Sequence, residues 1–228
     1  MKLPSRAVRG VATAAFALVS LFPLIVIALN LAQRRNYSPT RQAISELALG
    51  SGGNLMIVAF CGLGVGIFLL AAIVFRTSAK ARITPLLLAL ASVLAGPVSA
   101  AFHTDRAGAK TTLHGTIHND AGLAAFLLIL VAMVTAAYRF RHEPCWRRHA
   151  TATVVLAAFG IGTFFLIPVL GNDNFGLAQR LFVGTFVAWL LTAAAYARGM
   201  ATATNAAAND KATPTPALTG DTKGLAAG

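Results

Sequence analysis

Four residues of the chain could hold a metal ion. His103, Asp105, His114 and His118 lie between two long apolar runs, in a protein that has only 5 histidines and 7 acidic residues. His114-Gly-Thr-Ile-His118 is an HxxxH pair. On a helix, residues four apart share one face, so both rings can point at one ion. Asp105 or His103 would add a third ligand. Two histidines and a carboxylate, or three histidines, suit zinc with an open water position. Such a site lowers the pKa of its bound water to about 7 and supplies hydroxide. The alternative is a hydrogen-bonded polar cap, with His118 and Asp120 closing the start of a helix. The spacing is compatible with both.

A second group lies in the segment Tyr37-Ser38-Pro39-Thr40-Arg41-Gln42-Ala43-Ile44-Ser45-Glu46-Leu47-Ala48. Ser38 or Thr40 can cap a short interfacial helix there, which places Ser45 and Glu46 at the mouth of whatever bundle the chain forms. In a catalytic role Glu46 is a general base or ligand and Ser45 an oxyanion donor. In a structural role Glu46 pairs with Arg41 or Arg180. Arg180, about a turn inside the last apolar segment, needs a partner. Asp105, Asp173 and Glu46 are candidates, and a lipid phosphate would fit its planar fork. Tyr37 joins Arg180 as a candidate ligand-binding residue.

The elements that must position these groups are apolar helices. The chain is 57% hydrophobic and 11% charged with mean hydropathy +0.70, against roughly a quarter charged for soluble domains. Six segments approach the ~20 residues that span a bilayer: 7–32, 54–75, 84–102, 117–138, 151–170 and 177–197. In hydrocarbon the backbone must satisfy its own hydrogen bonds, so these runs read as helices. The expected fold is an all-α six-transmembrane-helix bundle over 1–198, followed by a disordered cytoplasmic tail over 199–228 rich in Ala, Thr, Asn, Pro and Gly. The basic start and first apolar run read as a retained helix rather than a cleaved signal, because the run is too long for a signal core. Pro85 opens the third helix, whereas Pro97 and Pro168 fall inside helices and should kink them. Gly62 with Gly66, and Gly160 with Gly162, permit close helix approach. Trp146 and Trp189 read as packing and interface residues. Cys61, in an apolar run, and Cys145, in a basic loop, are expected to stay unpaired.

The net charge of +12 comes from 19 lysines and arginines scattered in short clusters between the apolar runs. That pattern is topogenic rather than a nucleic-acid face. Most of these residues fall on the side of the N-terminus, which places both termini in the cytoplasm of a plasma (inner) membrane. Arg34 and Arg35 run against the rule. Ser45, Glu46, Asp105, His114, His118 and Arg180 then all face away from the cytoplasm.

Taken in order, Tyr37-Ser38-Pro39, Ile44-Ser45-Glu46-Leu47, Phe102-His103-Thr104-Asp105, Leu113-His114-Gly115-Thr116-Ile117-His118 and Gly176-Leu177-Ala178-Gln179-Arg180 resemble the motifs of the DUF998 family of small integral membrane proteins. The likeness covers about 8–197. It implies six helices and marks Ser45, Glu46, Asp105, His114, His118 and Arg180 as motif positions. It implies no activity. At the position of His103 the family pattern often has proline. A looser similarity, of site chemistry alone, is to membrane hydrolases of the alkaline ceramidase type. These hold zinc with three histidines, beside a serine and an aspartate.

Three functions fit these residues. The leading one is binding of a membrane lipid or small hydrophobic ligand in a polar cavity facing outward. The second is a zinc-dependent hydrolase or transferase acting on a lipid, with His114, His118 and Asp105 on the metal and Glu46 as base. The third is a small transporter subunit. The sequence does not choose between enzyme and binding protein, and it names no protein partner.

Overall fold

The computed structural model describes residues 6–78 and 82–212. Six helices in it are long and apolar enough to cross a bilayer, so the chain is a multi-pass membrane protein. They are α1 (Arg6–Ala32), α2 (Leu55–Thr77), α3 (Ile83–Ala101), α4 (Leu113–Arg139), α5 (Ala150–Leu170) and α6 (Phe175–Ala212). Each packs on its neighbours in sequence, and α6 returns to pack on α1, so the six form a closed ring.

Glycine sets how closely the helices approach. A Cβ on Gly66 would lie 2.7 Å from the Val19 side chain and 3.3 Å from the Ala15 carbonyl, so α2 lies almost against α1. A Cβ on Gly64 would lie 2.6 Å from the Cα of Gly96, which brings α2 and α3 together backbone to backbone. Close approach of this kind, rather than hydrophobic exclusion, holds helices together in lipid. Gly160 meets Met133 and Leu130 on α4, whereas Gly162 faces open space. Of the Gly160 and Gly162 spacing, therefore, only the first residue mediates a contact.

The expected kink at Pro97 takes the form of a π-helical turn, Leu94–Val98, between two α-helical stretches of α3. Proline has no N–H to donate, and a wider turn accommodates the lost hydrogen bond. The Ser99 hydroxyl donates to the Leu94 carbonyl at 2.8 Å and caps one of the carbonyls in that turn.

The first interhelical segment contains a 3-10 helix, Ile44–Leu49, whose first four residues are buried. It folds back onto the bundle rather than lying on its surface. The Gln33 amide donates to the carbonyls of Leu47 and Ser51, both at 2.9 Å, and fixes its far end. At the opposite end of the bundle, Trp146 is fully buried. It stacks on Phe140 at 4.6 Å and its indole N–H donates to the Thr77 hydroxyl at 2.9 Å. Of the packing and interface roles expected for Trp146, the structure shows packing, because the loop 140–149 tucks its aromatic residues under the helix ends. Cys61 and Cys145 are unpaired. Burial, with Glu143 beside it, pushes the Cys145 thiol above its usual range, so it stays protonated at neutral pH.

α6 continues as helix beyond 198 to Ala212. The alanines at 201, 203 and 206–208 favour this extension. The rest of the expected tail, 213–228, lies outside the described residues.

Candidate functional site

At the end of the bundle formed by the segments 33–54, 102–112 and 171–174, the ring encloses a cavity of about 840 Å³. All six helices contribute to its walls. Along α4 the lining runs from His118 to Ile129, a depth of about 16 Å at ~1.5 Å rise per residue. The deep part is aromatic and aliphatic, with Phe126, Ile129, Val183 and Phe186. Ser45, Glu46, Asp105, His118, Asn119 and Gln179, with the Arg41 guanidinium, form most of the polar part. Ligand pockets typically occupy roughly 300–1,000 Å³ and combine apolar walls with a few placed polar groups.

Glu46 is 6% exposed and is the centre of the polar part. Its Oε1 accepts from the Ala43 N–H at 3.0 Å, which satisfies the N-cap amide of the 3-10 helix. Its Oε2 accepts from the Ala107 N–H and the Gln42 amide, both at 3.1 Å. One carboxylate therefore ties the first loop to itself and to the loop between α3 and α4. Gln42 supports it, since its other amide atom accepts from the Ser38 N–H at 2.8 Å.

Asp105 organises the start of α4. Its carboxylate accepts from the Thr112 N–H at 2.7 Å and the Thr112 hydroxyl at 2.9 Å. Thr112 is the N-cap of α4, and its hydroxyl oxygen accepts from the Gly115 N–H at 3.1 Å. Gly115 leaves the space that the Asp105 carboxylate occupies. The chain Asp105–Thr112–Gly115 explains why α4 starts at Leu113, earlier than the apolar run begins, and makes both histidines of the HxxxH pair helical.

The two histidines nevertheless diverge. His118 is 7% exposed and faces the cavity, with Nδ1 2.8 Å from the Phe102 carbonyl and its ring edge-on to Phe60. His114 lies on the surface, stacked on His103 at 6.4 Å and beside Phe102 at 5.3 Å. Among the described residues no group of three His, Cys, Asp or Glu is placed to hold a metal ion. His103, Asp105, His114 and His118 are therefore not drawn together as one ligand set in this arrangement. The Asp105 carboxylate is bonded to Thr112, and one ring nitrogen of His118 lies against the Phe102 carbonyl. The polar-cap alternative is nearer the structure, although the capping residue is Thr112, not Asp120. A threonine immediately before an apolar helical run is the sequence signal that marks it.

Arg180 and Tyr37 come together, outside the cavity wall. Arg180 Nη1 donates to the carbonyls of Gln42 and Gly176, both at 2.9 Å, and Nη2 donates to the Tyr37 hydroxyl. The guanidinium lies 5.4 Å from the centre of the Tyr37 ring. The Tyr37 hydroxyl in turn donates to the Ala43 carbonyl at 2.8 Å. Arg180 thus takes carbonyls and a phenol as partners instead of Asp105, Asp173 or Glu46. Asp173 instead lies 4.0 Å from Arg41, with both side chains largely exposed, so the pair adds little stability. Two further contacts seat the loop on α6: the Leu177 N–H donates to the Thr40 carbonyl at 2.9 Å, and the Ile44 N–H donates to Gln179 Oε1 at 2.8 Å. Sequence reasoning did not single out Gln42 or Gln179, because a glutamine in a loop motif carries no chemistry until its partners are known.

Burial pushes the Tyr37 phenol above its usual 10, with Arg180 opposing the shift. The folded state therefore holds this proton more tightly than the unfolded chain. The resulting stability is complete below pH ~10 and declines as the pH rises from there through the folded pKa. Melting temperature in detergent should fall on that alkaline limb, and Tyr37→Phe should flatten the fall while lowering stability at neutral pH.

A ring of six apolar helices around a chamber with a polar mouth defines an α-helical membrane protein built around an internal site. The family model described as "Protein of unknown function (DUF998)" matches residues 6–196, and the chain belongs to the DUF998 family. No curated protein and no solved structure matches the chain.

Proposed function

We propose that this protein binds one amphipathic, lipid-like molecule in the cavity, with its hydrocarbon part among Phe126, Ile129 and Phe186 and its polar end near Glu46, Asp105 and His118. The observation that carries this reading is the division of a single 840 Å³ chamber into an apolar floor and a polar mouth. The carboxylates at the mouth are acceptors. Arg41 adds donors on the same lining, so the mouth suits a polar end that both donates and accepts hydrogen bonds. Glu46 and Asp105 each already accept from backbone and side-chain donors. This makes them wall-builders and argues against the hydrolase reading, which needs a carboxylate available to take a proton. The excess of basic residues at the opposite end supports cytoplasmic termini in a plasma membrane, with the cavity facing away from the cytoplasm.

Native mass spectrometry of the purified protein tests the reading. The wild type is expected to carry one co-purified amphiphile per chain. Ala125 is buried against the cavity, and Ala125→Trp should fill the chamber and remove that mass. An unchanged lipid complement in a folded Ala125→Trp variant would contradict the proposal.

A further inference from the structure

The walls of the cavity are not equally closed, and the gap lies on the side that faces lipid. On α4 the positions Ala121, Ala125, Ile129 and Ala132 are buried toward the bundle centre. The stripe Leu123, Leu127, Val131 and Val134 lies on the outer surface. The cavity touches both stripes, since its lining includes Ala125 and Ile129 but also Asn119 and Leu123, and Leu123 is 53% exposed. α5 shows the same pattern. Its outer stripe includes Ile161, Phe165 and Val169, and Phe165, 62% exposed, lines the cavity as well. A chamber bounded by outward-facing residues of two adjacent helices is open between them.

A second observation locates where the seam closes. The buried residues of α5 are Ala150, Thr153, Ala157 and Gly160, with none in the half of the helix beyond. Gly160 touches Met133 and Leu130 of α4. α5 is thus buried only in the half away from the polar mouth, and beyond Gly160 it keeps just the part-buried Phe164 and Ile167 against the core. In the gap itself, a Cβ on Gly122 would meet nothing within 4 Å. Leu123 and Phe165 both fall within the membrane-spanning segments, so the opening is at the level of hydrocarbon.

We infer that the seam between α4 and α5 is a lateral portal through which a chain-bearing lipid of the surrounding bilayer enters the cavity, with Leu123 and Phe165 flanking the opening and Gly122 keeping it clear. This inference rests on the binding function proposed above and adds the source of the ligand and its route. Entry from the bilayer spares a hydrocarbon chain the passage through water, which would oppose loading by ~0.8 kcal/mol for each CH₂ exposed.

Photo-crosslinking distinguishes the route from the binding itself. The protein is placed in nanodiscs of phosphatidylcholine carrying a diazirine in one acyl chain, irradiated, and its adducts mapped by peptide mass spectrometry. A parallel sample receives a short-chain, water-soluble diazirine amphiphile. The expected result is adducts of the embedded lipid on Phe126 and Phe186 inside the cavity. Gly122→Trp should lose them while keeping adducts on the outward Leu127 and Val131, and Leu123→Ala should increase them. Interior adducts undiminished in Gly122→Trp would overturn the portal and leave the binding function standing. So would interior adducts from the soluble amphiphile but none from the embedded lipid. Absence of interior adducts from both probes in the wild type would overturn the binding function itself. Since Gly122 faces open space, its replacement is expected to fold, and Leu123→Ala gives an independent reading of opposite sign.

Discussion

Glu46→Ala is expected to destabilise the protein by roughly 1–3 kcal/mol, because donors left without an acceptor cost up to about that much and the donors here are only part-buried and can turn in part to water. Three donors lose their partner together: the N–H groups of Ala43 and Ala107 and the Gln42 amide. All three belong to segments that close the polar end of the chamber. Glu46→Gln should fall between wild type and alanine. Its remaining carbonyl oxygen can still accept, whereas its NH₂ is turned toward other donors. Denaturant or thermal unfolding in detergent provides the measurement. A near-neutral Glu46→Ala would mean that the carboxylate is not the tie between the two loops and would return Glu46 to the list of groups free to act on a ligand.

The second large effect is expected at Gly176. A Cβ there would lie 2.6 Å from the Pro39 carbonyl and would collide with the Gln42 carbonyl. Both obstacles are backbone, so neither can rotate away. Gly176→Ala should push the first loop off α6 and break the bonds from Leu177 to Thr40 and from Arg180 to Gln42. The loss should reach the upper end of the roughly 1–3 kcal/mol usual for overpacking, or exceed it. Gly122→Ala is the control. With open space around its Cβ, the substitution should be neutral or stabilising by up to ~1 kcal/mol, since alanine is the better helix former. Paired unfolding curves of the two variants test the map of close contacts. Equal effects would contradict it.

These two residues illustrate what was legible in the sequence. The helices were legible because hydrocarbon permits a bundle little other local structure, and the expected spans agree with the observed ones to within a few residues. Apart from the end of α6, which runs on to Ala212, the start of α4 is the largest departure. It is set by a polar device, Asp105 holding Thr112, that a hydropathy pattern does not register. Ser45, Glu46, Asp105 and His118 were correctly singled out as polar groups at one end of the bundle, and all four line the cavity. Their partners were not legible. HxxxH spacing states that two rings can share a face, but whether they converge depends on where the preceding loop sends Phe102 and Asp105. Likewise Arg180 needed a partner on physical grounds, and the sequence offered three acids. The fold chose backbone carbonyls and Tyr37, because the first loop wraps over the start of α6. The aromatic floor was hidden for a different reason. Phe126 and Phe186 look the same in the sequence as the many lipid-facing residues around them, and only the closure of the ring distinguishes inside from outside.

The proposed lipid binding would account for Ser45, Glu46, Asp105, His118 and Gln179 lying together around one end of the chamber. A chamber meant for the polar end of an amphiphile must have its own hydrogen bonds satisfied before the ligand arrives, or the wall would collapse into it. The ties made by Glu46, Asp105 and Arg180 meet that requirement without filling the chamber.

The most direct test is a high-resolution density map of the protein in lipid nanodiscs. The account predicts one elongated density, from the level of Phe126 and Phe186 up to Glu46 and Asp105, continuous with the bilayer through the gap beside Leu123. A chamber filled by repacked side chains, or holding only separate water-sized peaks, would contradict it.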